Sequence, residues 1–149
     1  MADHNPIKIK GIDHIVLRVR SVPRALEFYC GVLGCTKERE VETIGLIQLR
    51  AGMSLIDIVG IESELGLRGG APAALTPGEG GRNVDHFAIT ICDFDEQAIA
   101  RYLRSQGIEP GEVARHYGAE GTGPALCIQD PDGNIVELKG PADPGTRLG

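Results

Sequence analysis

The chain has 149 residues, 42% of them hydrophobic, and a formal net charge of −6. That length suits one domain, or two small modules sharing a core, and the composition is that of a globular chain. The acidic balance, with no basic stripe, argues against a nucleic-acid-binding protein, and no apolar run is long enough to span a bilayer.

The first alternating stretch covers residues 12–20, with Ile15, Leu17 and Val19 on one face and His14, Val16, Arg18 and Arg20 on the other. Ser21 is a helix cap with Pro23 in the first turn, and the helix runs to about Leu33 before Gly34 stops it. Its apolar stripe is Ala25, Leu26, Tyr29, Val32 and Leu33. A strand-sized run at 36–41 is the weakest of the first half. Strands at 44–49 and 54–59 are joined through Ala51, Gly52 and Met53 as a hairpin. On the second of them Asp57 is an acid in an apolar run.

Residues 60–83 are rich in glycine and proline, and we read 61–83 as a linker between two modules, with one short helical turn near 62–67. A second alternating strand follows at 84–91, with His86, Ala88 and Thr90 on one face. A helix is expected over 95–106, then an edge strand within 108–114 because Pro110 suits an edge, and a glycine-rich loop over 115–123. Strand 124–129 leads to the turn Asp130-Pro131-Asp132-Gly133 and a last strand in which Val136 and Leu138 share one face and Ile135, Glu137 and Lys139 the other. Residues 141–149 read as an irregular tail.

The four cysteines, Cys30, Cys35, Cys92 and Cys127, form no CxxC pair. With no signal-peptide pattern, reduced thiols in a cytoplasmic protein are expected.

The two halves repeat. Ile12-Asp13-His14-Ile15-Val16-Leu17 answers Val84-Asp85-His86-Phe87-Ala88-Ile89, and Leu55-Ile56-Asp57-Ile58 answers Ile135-Val136-Glu137-Leu138. Each half reads strand-helix-strand-strand-strand. The expected architecture is α+β, with module 8–60, linker 61–83 and module 84–140. Strand parity turns both histidines and both acids away from the helix-packed faces, toward the concave side of a curved mixed sheet. Two imidazoles and two carboxylates there make an N/O donor set suited to one divalent first-row metal (Ni, Zn, Mn, Fe or Co). The metal ligands expected are His14, Asp57, His86 and Glu137. Each residue taken alone has a plainer account, as a packed or solvated strand residue; the repetition favours a site.

These residues, with Ala25 to Gly34 and Asp130 to Leu138, resemble the vicinal oxygen chelate superfamily, which includes glyoxalase I, fosfomycin-resistance, bleomycin-resistance and extradiol dioxygenase proteins. The resemblance runs from about Ile12 to Lys139. It implies paired βαβββ modules around a metal, commonly in a homodimer, and a small substrate bound through adjacent oxygens. It places the ligands at the same four positions, although Asp57 stands where glutamate is more usual. It implies a glyoxalase-I-like lyase or isomerase in which Glu137, or Asp57 after it, moves a proton as general base. An iron or manganese dioxygenase using His14, His86 and Glu137 is the alternative, and a binding or resistance protein without turnover ranks last. Arg18 resembles the arginine that holds a glutathione carboxylate, with a pair to Asp57 as the plainer account. Ile61 stands where bacterial glyoxalase I has an asparagine. Thr90 and His116 are weaker candidates for substrate contact.

Overall fold

The computed structural model describes residues 12–68, 84 and 86–147. The start of the chain and residues 69–83 of the expected linker lie outside the described residues.

Strand β1 (His14–Val19) is followed by α1 (Val22–Leu26), which widens into a π-helix over Glu27–Val32. Ser21 caps α1, its hydroxyl accepting from the Arg24 amide, and Pro23 lies in the first turn, where its missing N–H is not needed. The π widening is visible in the Leu33 N–H, which donates to Phe28 rather than one residue later. It lets the consecutive residues Phe28 and Tyr29 both bury, their rings edge to face at 5.0 Å. Gly34, at φ 78, then ends the helix. Strands β2 (Thr36–Val41), β3 (Leu46–Ala51) and β4 (Ser54–Gly60) complete the first module, and the short α2 (Glu64–Arg68) follows. The second module holds β5 (His86–Thr90), α3 (Glu96–Ser105), β6 (Ala114–Gly118), β7 (Gly121–Gln129) and β8 (Ile135–Lys139).

Each module forms its own four-stranded mixed sheet, ordered β1-β4-β3-β2 and β5-β8-β7-β6. In both, the first strand runs parallel to the last, and the remaining pairs are antiparallel. This is an α+β fold of two βαβββ repeats. One face of each sheet is packed on the helices. Val19, Leu49, Ile56 and Ile58 from the first sheet join Leu126, Ile128, Val136 and Leu138 from the second in one core with Ala25, Phe28, Tyr29 and Leu103. Each fully buried aliphatic side chain there contributes roughly 1.5–3 kcal/mol of transfer free energy. The modules are also tied by polar contacts. The Tyr29 hydroxyl donates to Asp130 Oδ2 at 2.7 Å, the Arg20 N–H to Asp132 Oδ1 at 3.0 Å, and the Tyr102 hydroxyl to the Val32 carbonyl at 2.8 Å.

Two stretches differ from expectation. The strand expected at 44–49 is β3 at Leu46–Ala51, with Glu42–Ile44 forming a 3-10 turn before it. The edge strand lies at Ala114–Gly118, not within 108–114, and the expected loop 115–123 is the β6–β7 hairpin. The glycines there answer packing rather than loop flexibility. A Cβ on Gly123 would sit 2.8 Å from Lys139 Nζ and 2.4 Å from the Pro141 carbonyl oxygen, and one on Gly121 would sit 2.6 Å from Thr146 Oγ1. The tail, Pro141 onward, lies along β7: the Asp143 N–H donates to Thr122, Thr146 bonds Thr122, and Arg115 pairs with Asp143. Residues 108–113 instead run irregularly beside β7, held by the Gly111 N–H on the Cys127 carbonyl.

Candidate metal centre

In the first module, parity and register put His14, Val16 and Arg18 of β1, Asp57 of β4 and Gln48 of β3 on the face away from the core. Asp57 is buried, and its neighbour across the β3–β4 hairpin supplies the partner. Gln48 Nε2 donates to both carboxylate oxygens, at 3.2 and 3.1 Å. His14 is half-exposed, and its Nδ1–H donates to Asp13 Oδ2 at 2.7 Å. That hydrogen bond raises the His14 pKa; partial desolvation opposes it, and the charges of Asp57 and Asp13 add to it. A ring whose Nδ1 is held by a carboxylate keeps Nε2 for a metal. Arg18 is directed elsewhere: its Nε and Nη2 donate to the Gly66 carbonyl at 2.9 and 2.6 Å, joining β1 to α2.

In the second module Glu137 takes the place of Asp57 on β8. It is 6% exposed, flanked on β8 by Val136 and Leu138, with Lys139 buried two residues on. Two imidazoles approach its Oε2: His116 Nδ1 of β6 at 3.0 Å and His86 Nε2 of β5 at 3.6 Å. Both rings are half-exposed. Thr90 stands opposite Lys139 in the register and lines a cleft of about 400 Å³ with Val32, Arg50, Cys92 and Tyr102.

Three residues with a part here were not singled out from the sequence. Gln48 was within reach, because counting back symmetrically from the Ala51–Ser54 turn puts it opposite Asp57. Lys139 is buried on the Glu137 face and donates to the Gly140 carbonyl at 3.1 Å; only its parity with Glu137 pointed to it. Asp130 is buried and accepts from the Tyr29 hydroxyl, the Asp132 and Asn134 amides and Asn134 Nδ2. It fixes the turn from which β8 and Glu137 depart.

The donors thus form two half-sets, His14 with Asp57 and His86 with Glu137. Among the described residues, no three His, Cys, Asp or Glu side chains are arranged around one point as a metal would need. The chemistry of the half-sets nonetheless fits a divalent ion: each places an imidazole and a buried carboxylate on the same sheet face.

The family model for the Glyoxalase/Bleomycin resistance protein/Dioxygenase superfamily matches residues 11–138. The chain belongs to that superfamily. Among curated proteins, this superfamily member is similar to a catechol-2,3-dioxygenase of Bacillus subtilis (29% identical over 127 residues, 85% of this chain and 40% of that protein). It is also similar to biphenyl-2,3-diol 1,2-dioxygenase 2 of Rhodococcus globerulus (31% over 129 residues, 85% of this chain and 60% of that protein). The chain therefore spans about half the length of these relatives. Among solved structures, a virulence protein of Salmonella typhimurium is 25% identical with a TM-score of 0.64, over 91% of this chain and 100% of that one. The fosfomycin resistance protein FosX of Listeria monocytogenes, 16% identical with a TM-score of 0.64, covers 95% and 100% and shares the fold. Members of the superfamily generally use a divalent metal and a small-molecule substrate. Among the described residues no helix is long and apolar enough to cross a membrane.

Proposed function

We propose that this chain is a divalent-metal-dependent enzyme with His14, His86 and Glu137 as its protein ligands, acting as an oxygenase on a small substrate that presents two adjacent oxygens. The observation that carries this is the state of Asp57. Both of its oxygens are engaged by the Gln48 amide, so the strongest candidates are two histidines and one carboxylate. That set leaves coordination positions for substrate and dioxygen, as in non-haem iron(II) oxygenases. The likeness to two ring-cleaving dioxygenases supports the same choice. A bound ion supplies Lewis acidity and, as iron(II), reactivity toward dioxygen. The chain's own residues hold and orient: Asp13 fixes the His14 ring, and His86 and His116 bracket one oxygen of Glu137.

The half-sets meet when the concave faces of a first and a second module oppose each other. Within one chain the modules are joined through helix α1, Tyr29 and the β7–β8 turn. β1 and β5 are edge strands, and Val16 on β1 is 50% exposed. We therefore assign the centre to a homodimer, each site taking His14 from one chain and His86 and Glu137 from the other. We place the protein in the cytoplasm, in keeping with its four free cysteines.

Elemental analysis of the purified protein, followed by oxygen-uptake assays with a catechol, tests the reaction. Stoichiometric iron or manganese with catechol-dependent oxygen uptake is expected. Oxygen-independent turnover of a methylglyoxal–glutathione hemithioacetal would sink the oxygenase and restore the lyase. Mixing His14→Ala and Glu137→Gln chains tests the dimer. Each is inactive alone, and the mixture regains activity only if sites are shared between chains.

A further inference from the structure

His116 lies outside the repeat, because β5 and β8 supply the second module's histidine and acid and nothing in the first module corresponds to β6 contributing an imidazole. It is half-exposed on an edge strand, and its neighbours Arg115 and Tyr117 point to the opposite face, where Arg115 pairs with Asp143. His116 turns instead toward the face of Glu137. Between the two, β7 offers only small side chains on that face: Gly123, Ala125 and Cys127. Lys139, buried on the same face of β8, reaches over Gly123 to the Gly140 carbonyl, and beside it His116 Nδ1–H donates to Glu137 Oε2 at 3.0 Å. His86 Nε2 stands 3.6 Å from the same oxygen. A buried carboxylate needs a donor such as His116, and both imidazoles face Oε2 rather than being shared between the two oxygens.

We propose that His116 is a positioning residue for the metal ligand Glu137, holding Oε2 through Nδ1–H so that the carboxylate keeps one orientation toward the ion. This reassigns His116 from substrate contact to control of metal affinity, and it holds only if Glu137 ligates the metal, as proposed above. The requirement is for a donor at the Nδ1 position, not for an imidazole as such. Asparagine places an amide N–H close to where Nδ1 lies; alanine removes it.

The test is cobalt(II) titration of metal-free wild type, His116→Ala and His116→Asn, followed by chelator competition and by the cobalt absorption bands. Loss of an outer hydrogen bond of this kind weakens metal binding by about 10- to 100-fold, so His116→Ala is expected to fall in that range with a shifted band, and His116→Asn to recover to within about threefold of wild type. Unfolding curves of the apoproteins show whether each variant is folded. If His116→Ala binds cobalt with wild-type affinity and spectrum, the positioning role is overturned. If asparagine fails to restore binding lost in alanine, it is likewise overturned, since the imidazole itself is then required. If wild type takes up no metal, the proposed function fails and His116's role fails with it, an outcome distinct from either of the others.

Discussion

Asp57 and Glu137 hold corresponding places in the two sheets, each on the strand that lies between the histidine strand and a hairpin partner. Their surroundings part at the residue across that hairpin. Opposite Asp57 stands Gln48, whose amide reaches both oxygens; opposite Glu137 stands Cys127, which offers no comparable donor. Glu137 is also one methylene longer, and its oxygen meets two imidazoles. One repeat unit thus holds its acid in an amide clamp while the other holds its acid among metal-type donors. Duplication fixed where an acid can stand, and the neighbouring strand decided what it is available for.

The largest expected effect tests that division directly. Glu137→Gln removes the charge of the proposed ligand and is expected to weaken metal binding by more than about 100-fold, whereas Asp57→Asn stays within about 10-fold of wild type. Chelator competition on both variants reads the two numbers. Equal losses would erase the distinction between the acids and return a four-ligand centre.

The modules also differ at their seam, where the first contributes a phenol and the second a buried carboxylate. Tyr29→Phe removes a 2.7 Å bond to Asp130, and hydrogen bonds to charged groups contribute about 1.5–3 kcal/mol, so urea unfolding is expected to show a loss in that range. Burial, then the Asp130 charge and hydrogen bond, raise the Tyr29 pKa. The unfolded chain therefore releases that proton first, and the contribution is full below about pH 10 and lost as pH rises beyond it. Tyr29→Phe should flatten the alkaline part of the stability curve; an unchanged slope would assign the alkaline loss to other groups.

The repeat, the helix-packed strand faces and the positions of both acids were legible in the sequence because period-2 alternation and a duplicated Asp-His pattern are local signals. The boundary at β6 was not. Gly118, Gly121 and Gly123 read as loop, yet Gly121 and Gly123 are excluded from carrying side chains by Lys139 and the tail, and these contacts come from far along the chain. The Tyr29–Asp130 bond links residues 101 positions apart, and Arg18's attachment to Gly66 links residues 48 apart. Neither has a local signature. Gln48 lies between these cases: hairpin symmetry pointed to it, but only once the turn was fixed.

A smaller effect probes the clamp on Asp57 from its other side. Gln48→Leu leaves a buried carboxylate without its donor and is expected to cost about 1–2 kcal/mol in denaturant unfolding. Gln48→Leu combined with Asp57→Leu should recover most of that loss, because removing both partners of a buried polar pair is nearly neutral. If the single change has no effect on stability, Asp57 finds another partner, and the contrast with Glu137 narrows to a matter of side-chain length.

The smallest difference is expected where the modules agree. Each carries a forked arginine–carboxylate pair on its surface, Arg50 with Glu38 in the first and Arg104 with Glu109 in the second. In both, the arginine hydrogen bond holds the glutamate below its ordinary pKa. A lowered carboxylate pKa contributes stability above the unfolded value, about 4.3, and that contribution is lost as pH falls through the folded pKa. Both pairs are solvated and screened by salt, so Arg50→Met and Arg104→Met should each shift the unfolding midpoint only slightly at neutral pH and low ionic strength. The shift should vanish at high salt and in acid. A large, salt-resistant loss for Arg50→Met alone would mean that its guanidinium acts beyond Glu38. The cleft of about 400 Å³ that it lines with Thr90 and Tyr102 is then the place to look, since that cleft joins the two modules.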